Sequence, residues 1–191
     1  LTAIDIFFLR LGNMPWFDSF CTAFGTAGTG GFGIKNDSMA SYSPYLQNVC
    51  TSFMLLFGVN FNCYYLLCIR QFRAVWKDEE LRLYLGTVGA SIALIAWNLR
   101  GVYPTFRETL RHAAFQVSSI ITTTGFATTN FDNWPSFSKA ILLSLMVIGA
   151  CAGTFIINWG WNVYLSIAMC LLIGIALGMW QGFWIAYVGI P

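Results

Sequence analysis

From Ser38 to Ile69, from Leu83 to Leu99 and from Ala140 to Pro191 the chain carries no Asp, Glu, Lys or Arg. Each run can hold a helix that crosses the hydrocarbon core of a bilayer, which takes about 17–25 apolar residues. Over the whole chain 57% of residues are hydrophobic and 9% charged, against roughly a quarter charged in ordinary soluble domains. So little charge cannot cover a water-facing surface. An all-α integral membrane protein is predicted, in contact with membrane lipid.

Several function classes drop out early. The net charge of +2 is small, and no basic stripe interleaved with aromatics is present, so nucleic acid is not an expected partner. The cysteines Cys21, Cys50, Cys63, Cys68, Cys151 and Cys170 form no CxxC pair and have no neighbouring histidine cluster. They are expected to be buried thiols, with no disulfide framework, transition-metal site or cofactor. The chain opens at Leu1 in apolar sequence, without a basic leader or cleavage site, and reads as an excerpt of a longer protein.

Along the chain, residues 1–11 resemble the end of a spanning helix, broken by Gly12-Asn13-Met14-Pro15 before a short helix from Trp16 to Gly25. Pro15 suits the start of that helix. Gly25–Gly33, Gly-Thr-Ala-Gly-Thr-Gly-Gly-Phe-Gly, has almost no side-chain bulk and is predicted to be irregular backbone at membrane depth. A polar loop leads to Pro44 and one long apolar helix to about Cys68. The segment 69–82 holds Arg70, Arg73, Lys77 and Arg82 and is assigned to the cytoplasm by its basic residues. Arg100, Arg107 and Arg111 then fall on the opposite side. A return helix over residues 83–99, a turn at Gly101–Pro104 and a shorter helix from Thr105 to Ile121 lead to Thr122-Thr123-Thr124-Gly125-Phe126-Ala127-Thr128-Thr129. Pro135 then opens another apolar helix.

This order occurs twice. A shift of 94 positions lays Thr29 on Thr123, Gly31 on Gly125 and Phe32 on Phe126; with three fewer loop residues, Pro44 meets Pro135 and Gly58 meets Gly149. Five landmarks in matching hydrophobic context define an internal repeat. The predicted organisation is a first repeat over 1–68, a linker over 69–82, a second repeat over 83–153 and an apolar tail over 154–191 that is a candidate membrane helix. Trp159, Trp161, Trp180 and Trp184 are candidate interfacial anchors.

Irregular backbone inside a bilayer is tolerated only where protein or a water-filled cavity surrounds it. Its carbonyls are good ligands for a dehydrated alkali cation. Glycine lets such a strand adopt positive φ, and threonine adds a neutral hydroxyl acceptor, the composition of a carbonyl-lined selectivity filter. The helix before each strand turns the negative end of its dipole to the ion if its C-terminus points there. The filter candidates are Thr29, Gly30, Gly31, Phe32, Thr122, Thr123, Thr124, Gly125 and Phe126. The plainer alternative is a small-residue helix-packing element involving Gly25 and Gly28. Asp37 and Asp132 follow the strands; ordinary solvated loop carboxylates or turn caps are the commoner circumstance, and cation-gathering groups at a pore mouth the alternative.

Phe-Gly-Thr-Ala-Gly-Thr-Gly-Gly-Phe-Gly-Ile-Lys-Asn and Ile-Thr-Thr-Thr-Gly-Phe-Ala-Thr-Thr-Asn-Phe-Asp-Asn-Trp-Pro resemble two filter motifs of the Trk/Ktr superfamily of potassium transporters. The resemblance covers about residues 1–153 and is nearest to the second and third of that family's tandem helix–pore-loop–helix repeats. It implies potassium uptake through a potassium-channel-like fold, with Gly31 and Gly125 as filter glycines and Thr29, Gly30, Thr123 and Thr124 as neighbouring oxygens. It also implies a bacterial inner (plasma) membrane location, a homodimer and a cytosolic nucleotide-binding regulatory subunit. Gly149-Ala-Cys-Ala-Gly153-Thr154 resembles the start of the family's small-residue gating loop, making Gly149 and Gly153 gate candidates. The sequence departs at Thr154-Phe-Ile-Ile-Asn158, so the motif supports no gate beyond Thr154.

Two rivals stand beside transport: an accessory membrane subunit that does not conduct, and an intramembrane enzyme. The enzyme lacks a constellation to work with, since the chain has one histidine, His112, expected to be satisfied by packing or a backbone contact. Asp18 is read in the same way. Passive conduction and ion-coupled symport use nearly the same filter chemistry, and no coupling residue stands out.

Overall fold

Three prolines mark where helices begin. Pro15 caps α2 (Trp16–Ala27), Pro44 opens the first turn of α3 (Pro44–Phe57), and Pro135 immediately precedes α8 (Ser136–Trp159). Proline suits these places because the first-turn amide has no helical acceptor to lose. The computed structural model describes residues 1–159 and, past them, Leu165, Ala168, Met169, Leu172 and Ile175; over 148–159 it describes the backbone. The remaining helices are α1 (Thr2–Leu11), α4 (Phe61–Cys68), α5 (Phe72–Lys77), α6 (Glu79–Asn98) and α7 (Phe106–Ile121), with a 3₁₀ turn at Phe131–Asn133. No strand occurs among the described residues. Most of the apolar tail, with Trp161, Trp180 and Trp184, lies outside them.

The repeat is visible as two helical hairpins. In the first, α1 packs on α2 and α3; in the second, α6 packs on α7 and α8. The second short helix, α7, joins the two halves by also packing on α3. Its Phe115 enters a core with Leu9, Ala23, Cys50 and Met54, while its Ala113 and Val117 enter the other with Ile95, Leu99 and Leu145. Large apolar side chains also lie open on the outside, among them Phe7, Trp16, Phe17, Phe24 and Trp97. Exposed rings in this number do not belong on a water-facing monomer.

Three expectations need correction. The short helix α2 continues past Gly25 to Ala27. The buried Thr26 hydroxyl donates to the Thr22 carbonyl at 2.8 Å, and the carbonyls of Gly25 and Thr26 are held in helical register as acceptors for the turn that follows. The predicted helix from Pro44 to Cys68 is instead two helices, α3 and α4, bent by 88°. The break falls at Gly58-Val59-Asn60, where the Asn60 side chain accepts from the Asn62 amide at 3.0 Å and caps the new helix. The repeat partner of Asn60 is Cys151, which has no such capping oxygen, and α8 runs on to Trp159. Finally, α6 starts inside the expected linker, at Glu79, because the Asp78 side chain accepts from the Leu81 amide at 2.9 Å. Among residues with described side chains, no single helix is long and apolar enough to cross a membrane; α3 and α4 pass that test together, as a bent pair.

Gly58 is small for a reason. A Cβ there would come within 2.5 Å of the Tyr84 hydroxyl and 2.8 Å of Thr122 Cγ2, tying the α3–α4 bend to the end of α7 at Thr122. Gly58→Ala is expected to destabilise the protein by about 1–3 kcal/mol through overpacking. Gly86→Ala, whose Cβ meets nothing within 4 Å, is expected to cost nothing and to gain up to about 1 kcal/mol of helix propensity. Thermal unfolding of the two variants in detergent checks the contrast.

Candidate functional site

Both short helices end in the same turn. After α2, the Thr29 amide donates to the Thr26 carbonyl at 3.3 Å and the Gly30 amide to the Gly25 carbonyl at 2.8 Å. After α7, the Thr123 amide donates to Ile120 at 3.0 Å and the Thr124 amide to Ser119 at 2.9 Å. The donors and acceptors of one helix map onto those of the other by the sequence repeat. This is the Schellman motif, which normally puts glycine in the left-handed position. Here threonine occupies it, with φ of 49° at Thr29 and 57° at Thr123. A β-branched residue there costs about 1–3 kcal/mol and persists only where its surroundings hold it. Two residues on, Gly31 and Gly125 are also left-handed, with φ of 63° and 86°.

The turn decides where the carbonyls point. In a planar trans peptide the N–H and the preceding C=O lie on opposite sides. The amides of Thr29 and Gly30, and those of Thr123, Thr124 and Gly125, are tied back to their helices. The carbonyls of Gly28 and Thr29, and those of Thr122, Thr123 and Thr124, therefore face away from them. None of these carbonyls accepts a hydrogen bond among the described residues. By contrast, two carbonyls further along the second strand, those of Phe126 and Ala127, are already used. Phe126 O accepts from the Ser119 hydroxyl at 2.6 Å, and Ala127 O from the Met39 amide at 2.9 Å.

The nine filter candidates divide by exposure. Thr29, Gly30, Phe32, Thr123 and Gly125 are exposed and Gly31 partly so. Thr122, Thr124 and Phe126 are buried. The hydroxyls of Thr122 and Thr124 bond each other at 2.8 Å, and Thr122 also donates to the Ser118 carbonyl at 2.7 Å. Those two hydroxyls stabilise the back of the strand, and it is the backbone that faces outward. Phe126 packs beneath Gly25, where a Cβ would lie 3.2 Å from its ring, while Phe32 is 85% exposed. The two strands also meet directly: a Cβ on Gly31 would collide with the Thr124 carbonyl.

Around the strands, Tyr42 and Ser38, which the sequence did not single out, lie beside polar groups that it did. The Tyr42 hydroxyl donates to Asp18 Oδ2 at 2.8 Å. Burial, and then the facing Asp18 carboxylate, push this phenol above its usual range, so it stays a donor. His112 Nδ1 shares a hydrogen bond with Thr128 Oγ1 at 2.9 Å, so both Asp18 and His112 reach side chains beyond their own helices. Ser38 Oγ accepts from the Ala127 amide at 3.2 Å, linking the chain that follows the two candidate filter segments. Asp37 and Asp132 are exposed; Asp37 accepts from the Ser41 hydroxyl at 3.3 Å. Gly149 and Gly153 stand in the helical backbone of α8, and their surroundings fall outside the described residues. No cluster of metal-ligating side chains occurs among the described residues.

The sequence matches the TrkH family, described as cation transport protein, over residues 7–98 and 101–165. The chain belongs to the TrkH family. The match passes Thr154, where the motif resemblance stops. Among relatives, the Trk system potassium uptake protein TrkH of Salmonella typhimurium is 33% identical over 159 residues, covering 81% of this chain and 33% of the relative. TrkG, also a Trk system potassium uptake protein, of Escherichia coli K12 is 30% identical over 151 residues, covering 76% of this chain and 30% of its own. The crystal structure of the potassium transporter TrkH from Vibrio parahaemolyticus matches with a TM-score of 0.73 at 30% identity, covering 80% of this chain and 34% of that one. The chain thus spans about a third of the length of these relatives, all of which are named as potassium transport proteins. The all-α membrane fold expected from the sequence is the TrkH-family fold.

The two left-handed glycines are not equivalent. Gly125→Ala meets open space and bears only the backbone cost, about 1–2 kcal/mol. Gly31→Ala adds a collision with the backbone of the neighbouring strand and is expected to cost about 2–5 kcal/mol in total. Denaturant unfolding of both purified variants checks the order.

Proposed function

We propose that this chain supplies two filter segments of a potassium uptake pathway in the bacterial inner membrane. The observation that carries the reading is the duplicated turn, with left-handed threonine and glycine and backbone carbonyls facing away from both pore helices. Potassium is the substrate, bound at Thr29, Gly30, Gly31 and Phe32 and at Thr122, Thr123, Thr124 and Gly125, chiefly through main-chain oxygens, while Phe126, whose carbonyl is held by Ser119, backs the second strand. No catalytic residue or cofactor enters, and the protein is a transporter rather than an enzyme.

On this reading residues 1–68 and 83–153 are the two repeats and 69–82 the cytoplasmic linker. The apolar tail over 154–191 is kept as a candidate membrane helix, and most of it falls outside the described residues. Further repeats complete the ring of carbonyls and cover the aromatic face of α2 formed by Trp16, Phe20 and Phe24. Asp37 and Asp132 gather cations at the outer mouth, and Gly149 and Gly153 belong to the gate below. The assembled protein is a multi-pass homodimer regulated by a cytosolic nucleotide-binding subunit, as the family resemblance implies.

The test is rubidium uptake in cells stripped of their own potassium uptake systems, comparing the parent protein with Gly125→Ser at equal membrane-inserted amounts. The parent is expected to restore uptake. The serine variant is expected to lower it about tenfold or to admit sodium, since its φ of 86° disfavours any side chain. A parent that inserts without carrying rubidium overturns the reading and leaves a non-conducting accessory subunit.

A further inference from the structure

The repeat that aligns the filters also lays Asp18 on His112. One is an acid and the other an imidazole, so no similarity of sequence relates them. Their reach does. Each stands on the pore helix, eleven residues before the left-handed threonine, and each bonds the segment that follows its own filter. Asp18 holds Tyr42 at 2.8 Å and His112 holds Thr128 at 2.9 Å.

Each contact continues into a local network. The Tyr42 ring carries the Lys35 ammonium 4.1 Å from its centroid, and Lys35 donates to Ser41 Oγ at 3.1 Å. In the other repeat the His112 ring stacks on Tyr103 with centroids 4.9 Å apart. The Tyr103 hydroxyl accepts from Trp134 Nε1 at 3.0 Å and bonds Thr129 Oγ1 at 3.2 Å. Two different sets of side chains thus tie the chain that follows each filter back to its own pore helix, at Tyr42 just before α3 in the first repeat and at Thr128, two residues past Phe126, in the second.

We propose that Asp18 and His112 are paired positioning residues that brace the exits of the two filters and thereby set selectivity between potassium and sodium. The inference rests on the potassium reading above. Each strand is fixed at its inner end by the helix-capping bonds, and its left-handed threonine needs restraint on the outer side as well. Without the brace the exit relaxes, and the free carbonyls can close around a smaller cation.

The test measures rubidium and sodium uptake per amount of inserted protein, expressed from its native coding sequence in uptake-deficient cells. Asp18→Ala is expected to lower the rubidium-to-sodium ratio about tenfold, and His112→Ala about fivefold, on the scale of one hydrogen bond to a charged and to a neutral group. Asp18→Asn and His112→Gln retain hydrogen-bonding groups of similar reach and are expected to restore the ratio to within about twofold of the parent. Tyr42→Phe and Thr128→Val should reproduce the losses, and each should add nothing to the alanine variant of its partner. Alanine variants that carry both ions at the parental ratio overturn the proposal, as does an equal fall in both uptakes that tracks protein amount. A parent that carries neither ion overturns the potassium reading instead, and this inference with it.

Discussion

The amide of Gly30 bonded to the carbonyl of Gly25, and that of Thr124 to Ser119, orient the rest of the site. Each closes the end of a short helix and forces the next peptide groups to turn their oxygens outward. Without that closure the glycine-threonine stretches would have no preferred direction, since glycine and exposed threonine offer little to pack. The strain of left-handed threonine is the local cost of the arrangement. It is offset by the buried Thr122–Thr124 hydroxyl pair, by Ser119 on the Phe126 carbonyl, and by the close contact between the two strands.

Much of this was legible in the sequence because it rests on residue types with few conformational options. The prolines place helix starts, the glycines mark left-handed backbone, and the spacing of Thr29 and Thr123 gives the repeat that the hydrogen bonds then follow. Legibility ends where tertiary contacts decide. The apolar stretch after Pro44 reads as one helix because Gly58-Val59-Asn60 looks unremarkable between hydrophobic runs. The bend becomes intelligible only when Tyr84 and Thr122 are seen against Gly58 and Asn60 is seen capping α4.

The candidate filter threonines show the same limit. Composition marks all of them as oxygen donors to a cation, but the turn alternates their surroundings. Thr123 is exposed, while Thr122 and Thr124 are buried. Taken one at a time in the sequence, Asp18 and His112 look like ordinary satisfied polar side chains. Their common role depends on alignment of the two repeats together with loop positions that sequence spacing does not give.

Phe126 and Phe32 occupy matching places, yet one is covered and the other open. Phe126 lies under α2, at Gly25. Among the described residues no helix covers Phe32 in that way. Contact between neighbouring repeats is therefore head-to-tail, joining unlike surfaces, and a head-to-tail contact has a rotational sense. Repeats added in this manner can follow one another around an axis in one direction only, so the order of the repeats along a chain would also fix the handedness of the ring they form.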